Sequence, residues 1–280
     1  MKKLMLLLLI GSLTFTVVNA QDGSGELVSK KGFAILPEAG DIGLGINAVP
    51  VFGYFGNMMN GTAGNNISYN FVNGTNTIYG KYYLDATTAV RARIRLAKAS
   101  TFDKEYVIKD LDVPDPLALV EDIYQIKSCN VQLGAGYELR RGKGRLQGFY
   151  GGEVLISYAT GGTNYIYGNN YSPDFTTPST TDFGTNITAN GRVQETKTGK
   201  TVGMGLRAFI GTEYFFAPKI SVAGEFGWGF AYVFTGRGEV TEESWNGTEI
   251  KTTVTKDLGG KGYNLDTDNL SGAIALIFHF

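Results

Sequence analysis

A two-residue period in hydrophobicity constrains the fold of this chain more than any other feature of the sequence. The period is clearest over the last eleven residues, Leu270 to Phe280, where large apolar side chains alternate with small or polar ones. Successive side chains of a β-strand point to opposite faces, so Ile274, Leu276 and Phe278 would share one apolar face. At least seven other segments show the same alternation, and the chain as a whole is therefore expected to be all-β.

Eight such segments can be delimited, and the connections between them alternate in length. The segments are 41–49, 77–85, 87–97, 128–140, 145–160, 200–216, 219–235 and 269–280. Short connections fall near Asp85–Thr87, Arg140–Arg145 and Phe216–Lys219, and long ones span about 50–76, 98–127, 161–199 and 236–268. Outer-membrane barrels combine short periplasmic turns with longer extracellular loops. The alternation of short and long connections predicts an eight-stranded antiparallel up-and-down transmembrane β-barrel. Ten strands are an alternative if loop segments add two more.

The beginning of the chain has the pattern of an export signal. Lys2 and Lys3 precede an apolar stretch from Leu4 to Ile10, and Val18-Asn19-Ala20 fits a cleavage site. We therefore divide the chain into a signal peptide (1–20), a periplasmic N-terminal segment (21–40) and an outer-membrane barrel (41–280). The expected location is the bacterial outer membrane.

Charge and cysteine content argue against a nucleic-acid-binding protein and against a disulfide-bonded fold. Removing Lys2 and Lys3 from 25 basic and 26 acidic residues leaves 23 against 26, a net charge of −3. This balance gives no electrostatic reason to expect a nucleic-acid partner. Cys129 is the only cysteine in the sequence, so an intrachain disulfide is excluded.

One face of each predicted strand lacks charge and suits contact with lipid. Examples of such stripes are Ile42–Leu44–Ile46, Val202–Met204–Leu206 and Phe226–Trp228–Phe230. A Lys or Arg facing lipid at mid-depth would cost roughly 2–4 kcal/mol. Aromatic residues gather at both ends of the stripes, as interfacial girdles do: Tyr82, Tyr137, Tyr214, Phe216, Phe278 and Phe280 at one end, and Tyr158, Tyr232 and Phe234 at the other.

The opposite face of the strands carries glycine and charge, and it should line the lumen. Five cationic side chains would meet four anionic ones there: Lys81, Arg91, Arg93, Arg95 and Arg207 with Glu138, Glu153, Glu213 and Glu225. Charges in a narrow lumen must pair or stay hydrated, so a lumen charge network is expected. Lumen glycines such as Gly134 and Gly227 would leave room for the arginines. Because eight strands enclose just enough space for side chains to fill, a wide pore is disfavoured.

These features resemble the small outer-membrane barrels of Gram-negative bacteria, of the OmpA/OmpX membrane-domain type. The ending Ile274-Ala-Leu-Ile-Phe-His-Phe280 is similar to the signal by which the barrel assembly machinery recognises its clients. The segment Leu36-Pro-Glu-Ala-Gly-Asp41 resembles a stretch in barrels of the Bacteroidota. The resemblance implies Phe278 and Phe280 as assembly signal, and the assembly machinery, outer-membrane lipid and lipopolysaccharide as partners. It specifies architecture rather than activity.

Residues for catalysis or metal binding are sparse. His279 is the only histidine, and at one residue from the C-terminus it is expected at the periplasmic rim, facing lumen or water. A hydrolase would need it beside a nucleophile in a pocket, so no enzyme activity and no cofactor are predicted. Carboxylates in two loops, Asp110–Asp115 and Asp266–Asp268, could hold Ca²⁺, but solvated loop charge is the commoner explanation.

The predicted function depends on the long loops. Val51–Met59 is the most apolar loop segment and could cover the mouth, lie on the outer leaflet or contact a partner. The third loop, 161–199, suits a polar binding surface or disorder, and Asn246-Gly247 predicts a hairpin turn between arms 238–245 and 248–256. We expect a structural or adhesion-type role towards an extracellular ligand or host surface. The alternative is a narrow anion-favouring pore or transport accessory, based on Arg91–Arg95.

Overall fold

Antiparallel β-strands make up nearly all of the regular structure in the computed structural model, which describes residues 27–61, 78–142, 144–189, 191–267 and 273–280. The predicted signal peptide lies outside these ranges. Within the described ranges, one helix, α1 (Val49–Met59), accompanies thirteen strands. The strands are β1 Ile42–Asn47, β2 Ile78–Asp85, β3 Thr88–Ile108, β4 Leu119–Arg141, β5 Leu146–Ile166, β6 Ile187–Thr188, β7 Gly191–Lys197, β8 Thr201–Ala217, β9 Ile220–Thr235, β10 Glu239–Trp245, β11 Ile250–Lys256, β12 Gly260–Thr267 and β13 Ala273–His279.

Eight of these strands are linked in a ring. Going round it, β1 pairs with β2, β2 with β3, β3 with β4, β4 with β5, β5 with β8, β8 with β9, β9 with β13, and β13 with β1. Each of the eight segments delimited from sequence overlaps one strand of this ring. The all-antiparallel arrangement is compatible with a β-barrel.

The two ends of the ring differ, and we name them the turn end and the loop end. The turn end carries the connections at 86–87, 142–145 and 218–219, together with Phe280. At this end Asp85 Oδ1 accepts hydrogen bonds from the Thr87 amide and hydroxyl, both at 2.7 Å. Ile35, which is 2% exposed, accepts a hydrogen bond from the Lys219 amide, so the N-terminal segment packs across the turn end.

The ring strands differ greatly in length. β1, β2 and β13 have six, eight and seven residues, whereas β3, β4 and β5 have 21, 23 and 21. The expectation that 98–127 is a loop is therefore wrong, because β3 and β4 continue as a hairpin and leave only 109–118 between them. Beyond the apolar stripe, residues 100–106 of β3 are exposed on both faces, so this part of β3 lacks the alternation that marks the rest of the strand.

Further strands extend the sheet at the loop end. β7 pairs with the end of β5, β10 with β7, and β11 with β10, while β12 pairs with β9 beyond β13. The hairpin predicted around Asn246-Gly247 is confirmed as β10–β11, although its turn has four residues, 246–249. Asn246 Oδ1 accepts hydrogen bonds from the Thr248 and Glu249 amides, and Gly247 adopts φ +100°.

The two faces of the ring strands follow the predicted alternation. Outward-facing Leu206 and Met204 are 63% and 58% exposed, while inward-facing Phe209 on the same strand is 2% exposed. The terminal Phe278 and Phe280 are 38% and 74% exposed. An exposed apolar surface of this extent is unusual for a protein in water.

Helix α1 occupies the apolar stretch that follows β1. Pro50 lies in its first turn, a position where the missing amide hydrogen costs nothing. Phe55 and Met59 are 51% and 84% exposed. Among the described residues, no helix has the length and hydrophobicity to cross a membrane.

Candidate functional site

Charged side chains fill the interior of the ring near its turn end and form what we call the interior network. Its members project from β2, β3, β4, β5, β8 and β9: Lys81, Arg91, Arg93, Arg140, Arg207, Glu138, Glu153, Glu213 and Glu225. Eight of the nine charged positions expected in the lumen belong to it.

Glu213 and Glu138 form the turn-end half of the network, and both side chains are 0% exposed. Arg140 Nη1 lies 2.6 Å from Glu213 and 3.1 Å from Glu138, and Lys81 Nζ lies 3.3 and 3.0 Å from the same two carboxylates. Arg91 Nη1, 3.5 Å from Glu138, connects this half to the rest. Each carboxylate thus faces at least two cations.

Glu153 and Glu225 form the half nearer the loop end. Glu225 contacts Arg91 at 2.7 Å and Arg207 at 2.6 Å. Glu153 contacts Arg207 at 3.0 Å and Arg93 at 2.6 Å. Charge-assisted bonds of this number are what buried ions need to offset their loss of hydration.

Aromatic rings and glycines shape the space around the network. The Arg91 guanidinium lies 4.0 Å from the centroid of the Phe209 ring, within the range of a cation–π interaction. A Cβ at Gly134 would lie 2.7 Å from Arg93 Cγ, and one at Gly227 would lie 2.4 Å from the Arg207 guanidinium. At these two positions glycine leaves room for an arginine, as the sequence suggested.

Two residues of this region were missed or placed at an edge in the sequence interpretation. The lumen charge network expected from sequence leaves out Arg140, the last residue of segment 128–140, yet Arg140 lies inside β4 and is 2% exposed. His279, expected at the rim, is 4% exposed and packs between the rings of Tyr83 and Phe215. The period-two parity of β4 carries the missing signal, because Arg140 is two residues from Glu138 and shares its face.

His279 meets a serine and a glutamate, but the arrangement differs from a catalytic triad. Ser221 Oγ and Glu213 Oε1 lie 3.0 and 3.2 Å from the same nitrogen, His279 Nε2. A triad needs the nucleophile and the orienting acid on different ring nitrogens. Nδ1 has no partner among the described residues, and the Ser221 and Glu213 residues are 0% exposed. This cluster therefore packs the turn end and offers no path for a substrate.

Arg95 is the one predicted lumen residue that the structure leaves out of the network. Within the described ranges its side chain forms no ion pair or hydrogen bond. It lies one inward position beyond Arg93 on β3 and lines an open cavity of 720 Å³ towards the loop end.

The cavity exists because inward-facing residues become small beyond Arg95. On β3, β4 and β5 these positions hold Ala97, Asn130 and Ala159, which are neighbours across the sheet. Nearer the turn end, by contrast, the cavity beside the interior network measures 20 Å³. The interior is thus filled at one level and open at the next.

The third loop is ordered by buried polar side chains. Asp122, 0% exposed on β4, accepts hydrogen bonds from the Gly168 amide at 2.8 Å, the Thr180 hydroxyl at 2.8 Å and the Thr181 amide at 2.7 Å. Asn169 donates to the carbonyl oxygens of Ile108 and Ser179, both at 2.9 Å. The described part of loop 161–199 is therefore folded rather than disordered.

Aromatic stacking supports the same loop. Tyr124 and Tyr165 are cross-strand neighbours whose ring centroids lie 4.9 Å apart, and Phe183 stacks on Tyr124 at 5.5 Å. Burial raises the pKa of the Tyr167 hydroxyl. Tyr167 therefore stays protonated at neutral pH and donates a hydrogen bond to the carbonyl of Val193.

A buried arginine connects this loop to the β10 strand. Arg192 is 2% exposed, its Nε lies 2.6 Å from Glu243 Oε1, and its guanidinium lies 4.0 Å from the Tyr167 ring centroid. It also donates to the Asn169 carbonyl at 2.8 Å. The loop-end sheet and the third loop therefore form one packed unit.

Two of the loop carboxylates considered for Ca²⁺, Asp110 and Asp115, have other partners. Asp110 accepts a hydrogen bond from the Ser179 amide, and Asp115 accepts one from the Leu117 amide. The described residues contain no group of three or more acidic, histidine or cysteine side chains placed to hold a metal ion. Asp268 lies outside the described residues.

No protein-family model matches this chain, and no curated protein sequence matches it.

Proposed function

We propose that this protein is an integral outer-membrane β-barrel of the small OmpA/OmpX-like type, in which the eight ring strands cross the bilayer. The proposal rests on a burial pattern that is the reverse of the one in a water-soluble protein. Glu213 is fully buried inside the ring, while Leu206 and Trp228 are 63% and 49% exposed outside it. Lipid accounts for such an outer face, because hydrocarbon solvates it without loss of hydrophobic energy.

Strand length supports an extracellular role for the loop end. A transmembrane strand needs about 9–11 residues, and β3, β4 and β5 have at least 21. In the proposed orientation their outer halves, with β7, β10 and β11, stand outside the bilayer. Arg192, Glu243 and Asp122 order this surface, and an ordered surface suits a structural or adhesion-type role.

The orientation is tested with single cysteines in a Cys129→Ser background. Thr248→Cys in the β10–β11 turn should react on intact cells with a membrane-impermeant maleimide, whereas Ala86→Cys in the β2–β3 turn should react only after lysis. Both positions are exposed. Labelling of Ala86→Cys on intact cells would contradict the orientation.

The membrane-embedded fold is tested by refolding the mature chain into detergent micelles. Refolded barrels migrate differently from boiled ones in gel electrophoresis, and we expect such a heat-dependent shift here. A compact monomer that stays in solution without detergent would overturn the proposal.

The filled interior supports a non-conducting and non-enzymatic barrel. Lys81, Phe149 and Ile277 enclose a cavity of only 20 Å³ beside the interior network. Planar-bilayer recordings should therefore be silent at high protein load, and reproducible conductance steps would favour the narrow anion pore. Lipid A mass spectra should be the same in a deletion strain and its parent.

A further inference from the structure

The 720 Å³ cavity at the loop end has the size of a ligand site. Small-molecule sites typically occupy about 300–1,000 Å³, and this one opens away from the interior network. In the proposed orientation it faces the cell exterior, so it would be reached by solutes without passage through the ring.

The chemistry of its lining selects a particular class of solute. Arg95 is the cationic side chain on the inward face of the lining, whereas Lys98 and Lys127 border the cavity from outward positions of β3 and β4, and none of the described residues that line it is acidic. Seven others carry hydroxyl groups, including Thr163, Thr201 and Thr235. A cleft of one charge sign concentrates ions of the opposite sign, and the hydroxyl groups offer many donors and acceptors to a hydroxylated ligand.

Arg95 is equipped to anchor such a ligand. Arg91, Arg93 and Arg207 are each bound to glutamates at 2.6–3.0 Å, so their charge is already compensated. Arg95 has no such partner in the described ranges and lines the cavity. Its planar guanidinium matches a carboxylate through two parallel hydrogen bonds.

We propose that this cavity is a binding site for acidic oligosaccharides, in which Arg95 binds a sugar carboxylate and the surrounding hydroxyl groups bind the sugar hydroxyls. The proposal rests on the proposed surface role and names a ligand class for it.

Calorimetry on the refolded protein in detergent micelles tests the proposal, with trigalacturonic acid as probe and maltotriose as neutral control of equal length. We expect trigalacturonic acid to bind at least tenfold more tightly than maltotriose. Arg95→Gln should weaken its binding at least tenfold. The matched control is Arg237→Gln, because Arg237 is exposed at the same end of the molecule and does not line the cavity.

Several outcomes would overturn the site. They are equal affinity for the two saccharides, unchanged affinity in Arg95→Gln, and preference for inorganic phosphate or for lipopolysaccharide over the uronate. Each sample is first checked for the heat-dependent gel shift. A protein that shows the shift and binds no saccharide refutes the ligand assignment alone, whereas a protein without the shift refutes the barrel.

Discussion

At the scale of single residues, Glu213 is one of the two fully buried acids of the interior network. It contacts Arg140 at 2.6 Å, Lys81 at 3.3 Å and His279 at 3.2 Å, and it is fully buried. Removing one partner of a buried ion pair costs about 3–5 kcal/mol, because the remaining charge is left without compensation. Glu213→Gln would leave two cations in that position.

We therefore expect Glu213→Gln to lower the free energy of unfolding by about 3–5 kcal/mol. The measurement is urea unfolding of the protein refolded in lipid vesicles, followed by tryptophan fluorescence. Glu195→Gln is the control, since the Glu195–Lys197 pair is exposed and such pairs contribute little. Equal midpoints for the two variants would show that the network does not stabilise the ring.

Two adjacent glycines of β5 allow a matched test of which face is crowded. A Cβ at Gly151 would lie 2.0 Å from the Tyr137 carbonyl oxygen, whereas the nearest atom to a Cβ at Gly152 is 3.7 Å away. Overpacking of this kind costs about 1–3 kcal/mol or more.

Gly151→Ala should consequently reduce the yield of the heat-shifted species and lower its unfolding midpoint, while Gly152→Ala should behave like the parent protein. Gel densitometry after refolding gives both values. If Gly152→Ala were the more damaging substitution, the inward and outward faces of β5 would have to be exchanged.

At the scale of elements, Asp122 connects β4 to the third loop. Its carboxylate accepts hydrogen bonds from Gly168, Thr180 and Thr181. Leaving such donors unsatisfied costs about 1–3 kcal/mol each, so Asp122→Ala should release the loop from the strand.

Chymotrypsin provides the measurement, because segment 167–186 contains Tyr167, Tyr171, Phe175 and Phe183. We expect rapid cleavage within this segment in Asp122→Ala and slow cleavage in the neighbouring control Glu121→Ala, whose side chain is exposed and pairs with Lys104. Mass spectrometry locates the cut. Equal cleavage of both variants would mean that the loop is held elsewhere.

The elements of the ring could be predicted from sequence because each carries a period of two over enough residues to be recognised. The extensions of β3 and β4 could not, since both faces of β3 meet water over residues 100–106 and polar residues such as Lys104 and Glu121 interrupt the hydrophobic alternation. The third loop could not be predicted either. Its order depends on Asp122, whose partners lie 46–59 residues away in sequence, and on Asn169, which binds Ile108 at a separation of 61 residues.

The interior network was likewise predictable from sequence only in part. Parity along the strands was enough to place Glu138, Glu213 and Arg207 on one face. It could not distinguish Arg95, which lines the cavity, from Arg93, which binds Glu153. That difference depends on whether a neighbouring strand presents an acid or a small residue at the same level.

At the scale of the whole molecule, the ring and the loop-end sheet should be separable in stability. β10 pairs only with β7 and β11 among the described strands, and β11 only with β10. None of the eight ring ladders involves residues 239–256. The flanking residues already meet, because the Asp257 amide donates to the Gly238 carbonyl at 3.0 Å.

A variant in which one glycine replaces residues 239–256 should therefore refold with an unchanged heat-dependent gel shift. It should also become sensitive to chymotrypsin at Tyr167, because Arg192 loses Glu243 as its partner. The shift and the cleavage are measured on the same sample, with Gly151→Ala as the control that damages the ring itself. Loss of the gel shift in the deletion variant would mean that the loop-end sheet is required for the ring to form, and the two parts would then have to be treated as one folding unit.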